Sequence, residues 1–343
     1  MSTAPYRVAV VGATGQVGGV LLELLAEREF PVSEIVPFAS ERSVGRVLGA
    51  GLVVQPLEAE TIQGFDLALF SAGAGISREW APRFAAAGAV VVDNSSAFRM
   101  DPSVPLVVSE VNPDDLGGHR GIVANPNCST MQMVVALRPI QLAVGIERLV
   151  VTTFQAVSGT GKNAVDTLLD QARRVLAGED AGDAGPYAHP IAFNALPQAG
   201  AFPDGDDHTD EERKLINETK KILGDETIRV SPTCVRVPVV NGHSESVTVE
   251  TRAPLSAEDA RELLRGAPGL VVVDDPAAGG YPMAVDADGA DPVYVGRIRS
   301  DPGHPQALSL WIVADNLRKG AALNAVQLAE VLHERGLVGA RVA

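Results

Sequence analysis

The chain has 343 residues, 46% of them hydrophobic, and only two cysteines: enough apolar content for two domains and too few thiols for a disulfide framework. A formal charge of -15 opposes nucleic acid and anionic membranes, and no basic run offsets it locally. No window of about 18 uninterrupted apolar residues occurs and Met1 to Val11 lacks a signal-peptide pattern, so a cytoplasmic protein without a membrane partner is expected.

Tyr6 to Val11 reads as a buried parallel strand, followed at once by Gly12-Ala13-Thr14-Gly15-Gln16-Val17-Gly18 and a helix over about Gly19 to Glu29. Strand, glycine turn and helix in that order are the start of a dinucleotide fold, the glycines letting backbone approach a pyrophosphate at the helix N-terminus. Further strands are expected at Ile35 to Ala39, Asp66 to Phe70 and Val90 to Asp93. The turn Ser40-Glu41-Arg42-Ser43 follows the second of them. Ser40, Arg42 and Ser43 suit a 2′-phosphate and so NADP; Glu41 is the counter-evidence, and an ordinary polar turn is the plainer alternative.

Ser71-Ala72-Gly73 ends a later strand with small residues that permit close approach of a cofactor, or simply make a flexible turn before a helix at Ser77 to Ala87. Arg99 follows the strand closing at Asp93, where an anion clamp is favoured over a surface charge because ligands collect beyond the carboxyl ends of parallel strands. Asn125-Pro126-Asn127-Cys128-Ser129-Thr130 runs from the strand Ile122 to Ala124 into a helical pattern, Met131 to Leu142. A thiol at a helix N-terminus is acidified by unpaired amides and the helix dipole. A buried structural cysteine is the competing reading, against which stand the turn and cap residues around it.

Leu149 to Gln155 is another strand, and Ser158-Gly159-Thr160-Gly161-Lys162 leads into a helix at Asn163 to Ala177. It fails as a phosphate loop, since Ala156 stands where Gly is needed and Asn163 where Ser or Thr is needed. Residues 178–186 form an acidic Gly- and Ala-rich surface loop. Asp204 to Asp207 fails as a calcium loop at Thr209 and Leu215, and no metal is expected. Thr209 and Glu212 make a capping box for a helix ending at Leu223, on which Glu218 and Lys221 share a face. Two extended runs, Ile228 to Val239 and His243 to Thr251, are joined at Asn241-Gly242, a strong turn signal flanked by Arg236 and His243. Strands at Gly269 to Val273 and Leu308 to Val313 precede Asp315-Asn316 and a closing helix, Ala321 to Arg335, expected to pack on the first domain.

Taken together, the segments Gly-Ala-Thr-Gly-Gln-Val-Gly, Asp-Asn-Ser-Ser-Ala-Phe-Arg, Asn-Pro-Asn-Cys-Ser-Thr, Phe-Gln-Ala-Val-Ser-Gly-Thr-Gly, Glu-Thr-Lys-Lys, Arg-Val-Pro-Val-Val-Asn-Gly-His and Asp-Asn-Leu-Arg-Lys-Gly-Ala-Ala resemble the aspartate-semialdehyde dehydrogenase family in order and over nearly the whole chain. The resemblance implies an α/β protein: a Rossmann-type dinucleotide-binding domain (1–128 with 316–343) and an α+β catalytic and dimerisation domain (129–315), assembled as a homodimer or homotetramer. It implies NADP-dependent interconversion of L-aspartate 4-semialdehyde with inorganic phosphate and L-4-aspartyl phosphate, in lysine, threonine and methionine biosynthesis. Cys128 is then the nucleophile, Gln155 orients the substrate, Arg236 holds its carboxylate, Glu218 faces its amino group, His243 is the acid/base, and Arg99 with Lys221 handles phosphate. The cofactor set is Gly12, Ala13, Thr14, Gly15, Gln16, Val17, Gly18, Ser40, Arg42, Ser43, Ser71, Ala72 and Gly73, with Ser158, Gly159 and Asn316.

The residues fit that chemistry. A thiolate adds to an aldehyde, hydride leaves for a nicotinamide, and phosphate attacks the resulting thioester, splitting one hard step into two. The competing readings are another acyl-phosphate reductase, such as N-acetyl-gamma-glutamyl-phosphate reductase, and a cofactor-binding regulatory protein without turnover.

Overall fold

The computed structural model describes residues 5–338. They fall into two compact units, one ending at Asn127 and taken up again at Ala321, the other running Cys128–Gly320.

The first unit contains β1 (Tyr6–Val11), α1 (Gln16–Glu27), β2 (Val32–Phe38), β3 (Leu67–Phe70), α2 (Ala74–Ala86), β4 (Val90–Asp93) and β5 (Ile122–Ala124). Its five strands are all parallel in the order β2-β1-β3-β4-β5. Both faces are covered, which is why the strands read as unbroken apolar runs. Val8, Val10, Leu67 and Leu69 pack with Leu21, Leu24 and Leu25 of α1 and with Val326, Leu328 and Leu332 of the C-terminal helix Asn324–Glu334. Ala9, Val11, Ala68 and Phe70 point the other way, against Phe38, Phe65 and Phe84. The C-terminal helix is also fastened at its far end, where Arg28 donates twice to Glu330 at 2.7 and 2.8 Å and the Tyr6 hydroxyl meets His333 Nδ1 at 2.9 Å.

The glycine turn is fixed by sterics. Gly12 has φ +89°, and a Cβ there would stand 2.3 Å from the Ser71 carbonyl oxygen; a Cβ on Gly18 would stand 2.2 Å from the Gly12 oxygen. No side chain caps α1, whose N-cap is Gly15, so its first amides remain open to an anion. Ser71 and Ala72 follow β3 beside this turn, and Gly73 is the N-cap of α2. Ser40 is extended and Glu41–Ser43 form one exposed 3₁₀ turn after β2.

The second unit contains α3 (Cys128–Val144), β6 (Ile146–Gln155), α4 (Lys162–Leu176), α5 (Asp210–Leu223), β7 (Arg229–Arg236), β8 (His243–Thr251), α6 (Ala257–Arg265), β9 (Leu270–Val272), α7 (Ala284–Ala287), β10 (Val293–Ser300) and β11 (Ala307–Ala314). The mixed sheet runs β7-β6-β8-β11-β10-β9. Thr209 and Glu212 close the expected capping box on α5, with both reciprocal bonds present at 3.2 and 2.8 Å. The turn at Asn241-Gly242 does not make a hairpin of the strands it joins: β6 lies between them, parallel to β7 and antiparallel to β8. A local turn signal carries no information about a partner strand some 80 residues away in sequence.

Candidate active site

The sheet of the second unit brings three side chains to one edge. Since β6 and β7 are parallel, their last residues, Gln155 and Arg236, are register partners; since β8 is antiparallel to β6, its first residue, His243, starts at the same end. Cys128, the first residue of α3 and half-buried, lines the same cavity of about 710 Å³ as these three. Its other walls come from Pro186 to His189, from Leu196 to Phe202, and from Gly159, Thr160 and Glu211.

Each group is held by its own partners. The Ala156 backbone N–H donates to His243 Nδ1 at 3.0 Å, so Nδ1 is an acceptor and the ring proton sits on Nε2. Nε2 is buried and has no partner among the described residues. Burial first, and then the Arg236 guanidinium, push this imidazole down to about 3, against an opposing pull from Glu211. It is therefore neutral and presents an N–H donor. Arg236 Nη1 donates to the Ala156 carbonyl at 2.7 Å while its buried Nε has no partner among the described residues. Gln155 Nε2 lies 3.0 Å from Ser129 Oγ, 3.3 Å from Thr153 Oγ1 and 3.5 Å from Glu211 Oε1. A side chain at Gly159 would press on both groups, since its Cβ would meet His243 Nε2 at 3.2 Å and Arg236 Nη1 at 3.3 Å.

Other expected site residues lie differently. Ser158 Oγ donates to Asn241 Oδ1 and accepts from Asn316 Nδ2, both at 2.8 Å, and Asn316 Oδ1 accepts the Gly242 N–H at 2.9 Å. These bonds brace the turn that delivers His243. Glu218 is buried and Lys221 half-buried on α5, and neither is among the residues lining the cavity. Arg99 belongs to the first unit, buried, with Nε and Nη2 donating to the carbonyls of Asn125 and Asn94 at 2.9 Å. Asn125 in turn donates to Asn94 Oδ1 and the Ala321 carbonyl and accepts from Asn324, which fixes the chain just ahead of Cys128.

Sequence reasoning passed over two residues. Glu211 faces the cavity from α5 with Lys214 bonded to its other oxygen at 2.8 Å; on an acid-rich first turn it looks like dipole complement and nothing more. Gly320, in the π-helical turn Arg318–Leu323, approaches Cys128 so closely that an added Cβ would stand 2.7 Å from the cysteine Cβ. The second cysteine, Cys234, is buried, and burial pushes its thiol far above the ordinary range.

Two family profiles match the chain: semialdehyde dehydrogenase, NAD binding domain, over residues 7–119, and semialdehyde dehydrogenase, dimerisation domain, over residues 137–319. The chain is 55% identical over 97% of its length to aspartate-semialdehyde dehydrogenase of Aquifex aeolicus, covering 99% of that protein. It is similar to the crystal structure of aspartate semialdehyde dehydrogenase II complexed with ASA from Vibrio cholerae, with a TM-score of 0.92 and 48% identity, over 97% of this chain and 99% of that one. It is also similar to the Candida albicans enzyme described with NADP, with a TM-score of 0.73 and 27% identity, over 97% and 100% of the two chains.

Proposed function

Because the chain belongs to the aspartate-semialdehyde dehydrogenase family, we propose that it catalyses the NADP-dependent interconversion of L-4-aspartyl phosphate and L-aspartate 4-semialdehyde with phosphate, as a cytoplasmic homodimer or homotetramer. The observation that carries this reading is the gathering of Cys128, Gln155, Arg236 and His243 around one cavity in a chain 55% identical to a protein of that name. The Vibrio cholerae relative, described with ASA, supports the substrate class, and the Candida albicans relative, described with NADP, supports the cofactor.

In the reductive direction the Cys128 sulfur attacks the acyl carbon, the C–S bond forms, and the carbon–oxygen bond to phosphate breaks with its electron pair on phosphate. The thioester is left on Cys128. When bound, NADPH supplies the hydride that reduces it. A carbonyl oxygen gaining negative charge in either step needs a donor, and His243 Nε2–H is one, unspent and buried in the cavity wall. Collapse of the hemithioacetal then breaks the C–S bond and returns the electron pair to sulfur. The Arg236 edge bearing the unpartnered Nε binds the substrate α-carboxylate side on, and the Gln155 amide, held from three directions, orients the carbonyl. Glu218 and the cation Lys221, with Arg99, complete the set for amino group and phosphate.

The dinucleotide fits the first unit on steric grounds: positions 12 and 18 exclude any Cβ, and α1 has open amides. Gly12 to Gly18 and Ser71 to Gly73 hold the pyrophosphate side, and Ser40, Arg42 and Ser43 the 2′-phosphate. Ser158 and Asn316 serve by bracing the His243 turn.

The deciding experiment is phosphate-dependent NADPH formation from L-aspartate 4-semialdehyde, with N-acetyl-glutamate semialdehyde as the competing aldehyde. Turnover of the second alone would move the assignment to the longer substrate; cofactor binding with neither turned over would leave a regulatory protein.

A further inference from the structure

Below the cavity, the inner face of β8 carries an acid that the proposed chemistry does not use. Strand alternation places His243, Glu245, Val247 and Val249 on one face, and Glu245 is fully buried between its register partners Thr153 of β6 and Ile312 of β11. Neither carboxyl oxygen has a hydrogen-bond partner among the described residues, and the same holds for Oε1 of Gln132. Gln132, one turn beyond Cys128 on α3, is the polar side chain beside that carboxyl, and its Nε2 donates to the His243 carbonyl at 3.3 Å.

Gln132 Oε1 and the two Glu245 oxygens are buried acceptors with no donor among the described residues, at about 1 to 3 kcal/mol for each unsatisfied group. One proton serves both side chains. We propose that Glu245 is a positioning residue whose carboxyl O–H donates to Gln132 Oε1, locking the amide that ties the helix beginning at Cys128 to the strand beginning at His243. The link runs Glu245 to Gln132 to the His243 carbonyl and fixes the spacing of nucleophile and donor from behind.

The electrostatics agree. Burial holds the Glu245 carboxyl well above the usual carboxylate range against an opposing hydrogen-bond pull from the Gln132 amide, and no cation figures among the influences on it. The groups facing it are Gln132 from α3, Thr153 from β6, the apolar Ile312 from β11 and, from β7, Cys234, whose thiol is itself neutral. Glu211, Glu212 and Arg236 act on Cys234 or His243 instead. Because the folded value is raised, the contribution of Glu245 to stability is complete below its unfolded value of about 4.3 and is lost as pH rises toward the folded value.

The test uses the full chain and the variants Glu245→Gln, Glu245→Leu and Gln132→Leu. Glu245→Gln keeps a donor for Gln132 without an ionisable proton, so its Tm should gain on that of the wild type as pH rises above about 4.3. A Glu245→Gln protein less stable than wild type by the same margin at every pH would mean an ionised, paired carboxylate and overturn the proposal. The catalytic arm rests on the function proposed above; the thermal arm does not, so the two fail separately. Glu245→Gln should retain kcat within about threefold, while Glu245→Leu and Gln132→Leu should lose about tenfold or more in kcat with the KM for the aldehyde unchanged. Full kcat in both Leu variants would remove the positioning role.

Discussion

The backbone N–H of Ala156 points at Nδ1 of His243 from 3.0 Å, and that one bond decides which ring nitrogen His243 offers as a donor. With Nδ1 occupied as an acceptor, the cavity receives Nε2–H. A ring in this state is a donor first, and it takes a proton at Nε2 only after giving one up or turning over.

It follows that His243 does not titrate near neutrality in the free protein. Its folded value is lowered to about 3, so the stability its neutral form contributes is present above about pH 6.5 and is lost as pH falls from there toward 3. The expected kcat/KM profile for the aldehyde has no limb near pH 6.5, and His243→Gln should lose about 10²- to 10⁴-fold in rate. A limb near 6.5 in the wild type that vanishes in the variant would show an imidazole that ionises freely.

The two thiols should separate cleanly. Cys128 lines the cavity and heads α3, whereas Cys234 is buried, and burial together with the charges of Glu211 and Glu212 opposes a thiolate there. Iodoacetamide at neutral pH should label Cys128 first, Cys128→Ala should abolish turnover with Tm little altered, and Cys234→Ala should leave the rate unchanged. Peptide mapping that finds both labelled at one rate would contradict this.

Gly320→Ala is a single-methyl probe of the seat of Cys128. The new Cβ would meet the cysteine Cβ at 2.7 Å and its Cα at 3.2 Å, so either α3 or the π-helical turn must shift. Overpacking of this kind costs about 1 to 3 kcal/mol, and the displacement falls on Cys128, the nucleophile of the proposed reaction. Activity should drop by more than the loss of Tm explains; a variant with normal kcat would show that Cys128 tolerates the move.

Arg42→Ala addresses cofactor choice. Arg42 is exposed in the 3₁₀ turn after β2, and loss of one charge-assisted bond to the 2′-phosphate should cut kcat/KM for NADP by about tenfold while leaving NAD nearly unchanged. An equal loss with both cofactors would make Arg42 structural, and a wild-type preference for NAD would make Glu41 the ribose ligand.

What could be read from the residues was what local patterns encode. β4 and β5 have the bounds expected of them, because Val90 to Asp93 and Ile122 to Ala124 are short apolar runs ended by polar turns. α3 starts three residues before the periodic pattern does, since Cys128, Ser129 and Thr130 are small and polar yet helical. β10 went unseen: its alternation is interrupted at Gly296 and Arg297, where the register slips and Arg297 takes φ +52°. The order β7-β6-β8 is a nonlocal fact with no trace in any window. Glu245 left a signal that was passed over, an acid in phase with Val247 and Val249 on the face of the strand that those valines bury.

The pairing of Gln155 with Arg236 closes the long crossover between β6 and β7 at its feet, and that crossover supplies Pro186 to His189 and Leu196 to Phe202 of the cavity wall. Gln155, Arg236 and His243 thus stand on strand ends while the excursion shapes the rest of the wall, so the wall can change with less constraint from the sheet. A chimera exchanging residues 178–202 for those of a relative with another aldehyde should change which substrate is accepted while the alkylation rate of Cys128 stays the same; a changed alkylation rate would show that wall and nucleophile are one inheritable unit.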